Sequence, residues 1–270
     1  MREVTVAVVQ AKPELGSVQQ NLAHMSDIID EISRRQKVDL IIFPELMTTG
    51  YEVGVGFTDL AERVPGPSAN IIAQRAREFN THIAFGMVIK EKVESVLYNA
   101  AILISNEGEV LGDYRKIHLK GEERMTFRPG FRLPVFETAF GDVGMLIGWD
   151  QAFPEAARSL ALDGAELLHV LANWEEPHAD EWRAYNVARA FENSVFVAAS
   201  NRVGEEVTLN FFGQSMIVGP RGEPLALVDE PGEGYGVARI DLDLVRRYRE
   251  EFQIIQSRQP AVYRSLVRKY

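Results

Sequence analysis

The stretch "GDVGMLIGWDQAFPEAARSLALDGAELLHVLAN" (141–173) decides the fold class. Two apolar, β-rich runs flank a segment that opens with Pro154 and is rich in helix formers. Such runs are continuous rather than alternating, as expected of strands covered on both faces. Strand, helix and strand in succession imply α/β architecture. At the tip of the first run sits Gly148, followed by Trp149 and Asp150. A strand tip is where an α/β protein presents its chemistry, and glycine has no side chain to present.

The same pattern extends in both directions. Apolar runs recur at 4–9, 38–45, 82–89, 99–105, 194–201, 215–220 and 236–242. Val18, Leu22, Met25, Ile29 and Ile32 share one helix face, with Ser17 as a plausible N-cap. Further helices are expected after "PGPS" (65–68), over 154–163, and around Trp182, Tyr185 and Phe191, the last capped by Asp180. The short connection between 82–89 and 99–105 predicts a hairpin. No Pro/Gly/Ser linker or repeat divides the chain, so residues 1–270 read as a single domain with two sheets between helical layers.

Composition narrows the function classes. The chain is 46% hydrophobic and 25% charged, ordinary for a globular protein. Its net charge of −10 argues against a nucleic-acid surface, which needs clustered Lys and Arg. There are no cysteines, so disulfides, thiolate metal sites and a thiol nucleophile are excluded for the chain as written. The start, "MREVTVAVVQAKPE", lacks the features of a signal peptide. No apolar stretch reaches the ~18 residues of a membrane span. The expectation is a cytoplasmic protein with no membrane partner.

Three strand ends carry chemical side chains. In "IIFPELMTTGY" (41–51), Glu45 follows an apolar run, and a desolvated carboxylate there can act as a general base. The plain alternative is a surface Glu at a loop start. In "DYRKIHLKGEERMTFRPG" (113–130), Lys116 follows "GEVLG" (108–112), which reads as a turn. One cation between two carboxylates, Glu45 and Glu123, can stabilise developing negative charge while the acids move protons. In "MLIGWDQAFPEAAR" (145–158), backbone N–H groups near Trp149 and the helix start suit an oxyanion. Glu155 and Arg158 are expected to be a structural ion pair or first-turn helix charges, and His118 to have a structural or surface role. No histidine lies in a metal-binding spacing, and "GQS" (213–215) is not a serine-hydrolase elbow.

With "FPEL" at 43–46, "YRKIHL" at 114–119 and "IGWDQAFPEAAR" at 147–158 in that order, the chain resembles the nitrilase superfamily of carbon–nitrogen hydrolases. "GEERMTFRPG" (121–130), "VAASNRVG" (197–204) and the segment from 232 to "QPAVY" (259–263) fit as well, so the resemblance covers nearly the whole chain. It implies a four-layer α-β-β-α sandwich. It puts Glu45 on the general base, Lys116 on the catalytic lysine, and Glu123 on a further glutamate, with Glu122 adjacent should that assignment slip by one. It puts Gly148 on the nucleophilic cysteine. Either residue 148 was exchanged to inactivate an enzyme, or the chain is a natural pseudoenzyme that binds without catalysis; the intact flanks favour the first.

The resemblance further implies hydrolysis of a small amide through a thioester, with no metal or organic cofactor. An N-carbamoyl amine substrate is the close alternative. Nitriles come after these, because Asp150 rather than Glu follows Trp149. Tyr51, Phe127, Trp149, Asn173 and Trp174 are expected to line the substrate pocket, since they lie at or just past the key strand ends. Homodimers or larger homo-oligomers are expected, with Trp182, Tyr185 and Phe191 as apolar anchors.

Overall fold

The computed structural model describes residues 1–92 and 96–268. Two six-stranded sheets lie face to face between helices. In the first sheet the order is Gly234–Asp241 (β14), Glu3–Gln10 (β1), Leu40–Ile42 (β2), His82–Lys90 (β3), Leu97–Ile104 (β4) and Val110–Arg115 (β5). In the second it is Pro224–Leu227 (β13), Met216–Val218 (β12), Phe196–Asn201 (β9), Leu167–Ala172 (β8), Asp142–Ile147 (β7) and Val135–Glu137 (β6). A two-stranded ribbon, Val203–Glu205 (β10) with Asn210–Phe212 (β11), stands apart.

The opening stretch forms the expected unit. β7 and β8 pair in parallel, with Val143 opposite Leu167 and Ile147 opposite Leu171. The Pro154–Leu162 helix crosses between them and buries Ala156, Ala157, Leu160 and Ala161. β1, β2 and β3 are likewise parallel, covered by the Val18–Arg35 and Pro67–Phe79 helices. Continuous apolar runs follow from this: one strand face packs on helices, the other on the opposite sheet. Val6, Val8, Leu40, Ile42, Met145, Ile147, Leu171 and Phe196 form the core between the sheets. A polar pin crosses that core. The Ser200 hydroxyl on β9 donates to Ile42 O on β2 at 2.7 Å and accepts from Val9 N on β1 at 3.2 Å.

Several local expectations are corrected. The predicted hairpin is present, β3 with β4, but only Gly108 of "GEVLG" belongs to the turn, its N–H donating to Ser105 O at 2.9 Å, and Val110 already begins β5. Ser17 occupies the N-cap without a capping bond; Asn21 ties that turn instead, accepting from Glu14 N and donating to Glu14 O and Thr48 O. The fourth helix, Ala179–Asn193, starts before Asp180, which falls in its first turn, where an acid favours the helix dipole. Of the two roles expected for Glu155 and Arg158, Glu155 takes the first-turn charge and does not pair with Arg158 among the described residues; Arg158 Nη2 donates to Glu192 O at 2.6 Å. Trp182 is fully buried and packs inward, so it offers no contact face. Among the described residues, no helix is long and apolar enough to cross a membrane.

Candidate active site

Glu45, Lys116, Gly148 and Asn173 emerge at the C-terminal ends of β2, β5, β7 and β8 and meet at one edge of the inter-sheet core. The first two ride on one sheet, the last two on the other. Glu45 Oε1 accepts from Lys116 Nζ at 2.8 Å and from Asn99 Nδ2 at 2.6 Å, while Oε2 accepts from Asn173 N at 3.0 Å. Lys116 Nζ also donates to Glu123 Oε1 at 2.5 Å. Glu123 opens a one-turn helix, and its Oε2 accepts from Lys120 N at 2.8 Å. All three charged groups are buried, with exposures of 1–4%.

Burial and charge set the protonation of this trio. Desolvation raises the Glu45 carboxyl from 4.5 to about 7, against the pull of Lys116. Burial pulls the Lys116 pKa down, but Glu123 and Glu45 together more than offset it and hold the ammonium well above its usual range. A carboxyl poised near neutrality beside a persistent cation is the pairing that proton transfer at pH 7 requires.

Gly148 completes the arrangement. Its backbone is left-handed, with φ of +46°, a conformation that costs other residues strain. A Cβ built there would lie 2.8 Å from Glu45 Oε2 and 3.2 Å from Lys116 Nζ. Any side chain at 148 therefore points straight between base and cation. Residues 148–152 form a short 3-10 turn, which leaves the Trp149 N–H without a partner inside the turn.

The other expected pocket residues divide between two cavities that share Tyr51, Lys120 and Glu175 as lining. A small inner cavity of about 20 Å³ is walled by Glu45, Lys116, Gly148, Trp149, Asn173 and Trp174. An outer cavity of about 430 Å³ has Phe127, packed on Phe57 at 5.0 Å between ring centres, in its wall. Tyr51 borders both chambers. Glu122, the alternative to Glu123, stays exposed at the outer cavity and does not reach Lys116.

Three positioning residues were not anticipated. Asn99 on β4 bridges Glu45 and Glu123. Asp150, fully buried, accepts from Tyr114 Oη, Ile147 N and His118 N, and its Oδ1 lies 2.8 Å from His118 Nδ1. It ties the segment after β5 to the turn after β7, and His118 is structural as expected. Gly86 on β3 admits the Glu45 loop: a Cβ there would stand 2.3 Å from Leu46 N. A glycine inside a strand was the available sign of this close approach.

Residues 5–250 match the carbon–nitrogen hydrolase family. The chain belongs to that family. A probable nitrilase of Schizosaccharomyces pombe is 41% identical, over 98% of this chain and 99% of its own length. A carbon–nitrogen hydrolase from Helicobacter pylori superposes with a TM-score of 0.93 at 25% identity, over 99% of each chain. The amidase from Nesterenkonia sp. AN1 is similar too, with a TM-score of 0.87 and 26% identity over 99% of this chain and 98% of its own. That structure is a double mutant, Glu to Gln and Cys to Ala, in complex with acrylamide.

Proposed function

We propose that this carbon–nitrogen hydrolase chain has a site for small amides built around a thiol at position 148, and that with Gly148 it binds such compounds without hydrolysing them. The observation that carries the reading is the projection of a 148 Cβ between Glu45 and Lys116. In a Gly148→Cys chain, Glu45 takes the thiol proton and sulfur attacks the amide carbon. The carbonyl electron pair moves to oxygen, where the Lys116 ammonium and the Trp149 N–H receive it. The C–N bond then breaks, and the leaving amine takes the proton from Glu45. Water, deprotonated by Glu45, attacks the thioester; the acid departs and the thiolate recovers the proton. Lys116 stays charged throughout, held by Glu123.

The test is an ammonia-release assay over amides, carbamoyl compounds and nitriles. The Gly148 chain is expected to be inert and Gly148→Cys active, with amides first. Nitriles form the second reading, favoured by the name of the Schizosaccharomyces pombe relative. An inert Gly148→Cys chain, or a turning-over Gly148 chain, would overturn the nucleophile assignment.

Residues 1–270 are proposed to act as one domain that self-associates through the Pro154–Leu162 and Ala179–Asn193 helices. Their exposed apolar residues, Leu162 and Phe191, replace Trp182 as anchors. Light scattering at micromolar concentration should give at least a dimer mass; a monomer mass refutes the contact.

A further inference from the structure

Tyr51 lines both cavities, and its hydroxyl forms no hydrogen bond among the described residues. Burial pushes that phenol well above its ordinary pKa, so it stays a neutral donor at any working pH. The segment that carries it has no regular structure to hold it: residues 50–53 lie in neither helix nor strand. The two-stranded ribbon, β10 with β11, supplies the hold instead.

Two carboxylates cross between that segment and the turn of the ribbon. Glu206, in the turn, accepts from Tyr51 N at 3.0 Å and from Glu52 N at 2.7 Å. Glu52 reaches back and accepts from Thr208 N at 2.9 Å, from Leu209 N at 3.2 Å and from the Thr208 hydroxyl. Each acid thus ties down backbone next to the other. Arg202 anchors the exchange. Its guanidinium pairs with Glu206, and the two side chains are 0% and 2% exposed. The guanidinium carbon lies 4.3 Å from the centre of the Phe211 ring, and Phe211 meets the Tyr51 ring edge-on at 6.2 Å. Tyr51 is therefore fixed twice from one ion pair, through its backbone and through its ring. Gly50 makes the room: its φ is +78°, and a Cβ there would stand 2.8 Å from Glu206 Oε1. A buried ion pair recovers its desolvation only through further hydrogen bonds, and here those bonds go to the pocket wall.

We infer that Glu206, seated on Arg202, is a positioning residue for ligand recognition: with Glu52 as its reciprocal partner, it holds the Tyr51 hydroxyl as a fixed donor to the ligand on the wall that the two cavities share. The ligand contact rests on the amide reading above; the clamp itself is independent of it.

The clamp is read first without ligand, by amide hydrogen exchange in the full Gly148 chain. Glu52→Gln should speed exchange at Tyr51 N–H and Glu52 N–H about tenfold or more, although both amides bond Glu206. Unchanged exchange at those two amides overturns the clamp. Recognition is read by propanamide turnover in Gly148→Cys. Glu206→Gln should raise KM about tenfold, the scale of one hydrogen bond, and leave kcat within about twofold. In a Tyr51→Phe background the same substitution should move KM less than about twofold, because the donor it positions is gone. An equal rise in KM with Tyr or Phe at 51 makes Glu206 merely structural and overturns the inference, as does a loss confined to kcat. If Glu206→Gln does not fold, Glu52→Gln goes through the same cycle. An inert Gly148→Cys chain sinks the catalytic reading alone, and the cycle is then read as propanamide Kd of the Gly148 chain by calorimetry. Failure of that chain to bind propanamide overturns the ligand contact.

Discussion

Glu45→Gln, made in the Gly148→Cys chain, is expected to lower ammonia release by about a thousandfold, within the 10²–10⁴ range that a positioned base contributes. Glutamine keeps the shape of the side chain and, with its oxygen at the Oε1 position, the bonds from Lys116 and Asn99; its amide nitrogen cannot accept from Asn173 N, and it cannot take a proton. The loss should therefore fall on kcat and kcat/KM, with little change in the affinity for an intact amide. The pH profile supplies a second readout. Glu45 carries its proton up to about pH 7, so kcat/KM of Gly148→Cys should rise through that pH, and Glu45→Gln should abolish the step. A Glu45→Gln variant with most of its activity would move the base to another residue.

Lys116→Met should have the largest effect on stability. It removes the one buried cation that neutralises Glu45 and Glu123 and leaves two carboxylates at 1% and 4% exposure. Breaking a buried ion pair on one side costs about 3–5 kcal/mol. The cost depends on pH in a defined direction. Glu45 already binds its proton more tightly in the folded state than its ordinary 4.5, so the folded chain holds more protons than the unfolded one between about 4.5 and 7. Stability from this group is thus present at low pH and lost as pH rises through that window. Without Lys116 the folded value moves higher still. The variant's deficit in urea denaturation should accordingly be larger at pH 8 than at pH 5. A deficit under about 1 kcal/mol at pH 8, no more than a surface pair is worth, would mean that the trio is better solvated than its burial implies.

What the sequence disclosed, and what it did not, follows from the range of the signals. Glu45 and Gly148 could be found because each follows an apolar run, a local pattern, whereas Lys116 lies in a polar segment and stood out through the "YRKIHL" resemblance. Glu123 rather than Glu122 needed the fold, since only the turn of its helix decides which of two adjacent acids faces Lys116. Asn99 and Asp150 act through partners 54 and 36 residues away, which no spacing rule reports. Asp180 was misplaced because an acid suits the first turn of a helix nearly as well as its cap. Trp182 failed as a surface anchor for a related reason. Helical periodicity sets Trp182 and Phe191 on opposite sides of the helix, with Tyr185 between them, and does not say which side meets a sheet. Gly86 was visible as a glycine within a strand, but its meaning appears only once the Glu45 loop lies against it.

Ser200 binds the two sheets to each other within a few residues of Glu45, and the reacting groups are split between those sheets. The pocket is thereby a gauge of alignment. A slip of one residue along a strand moves a group by about 3.3 Å, which is enough to part Asn173 N from Glu45 and to carry position 148 past Lys116. Each sheet could keep its own ladders through such a slip, and helix and strand content would hardly change. Oily contacts between the sheets tolerate sliding far better than a hydroxyl wedged between two strands does. An ensemble with every element formed but the sheets out of step would look native to circular dichroism and be blind to an amide, so ligand binding, rather than secondary structure, is the measure of whether this chain has finished folding.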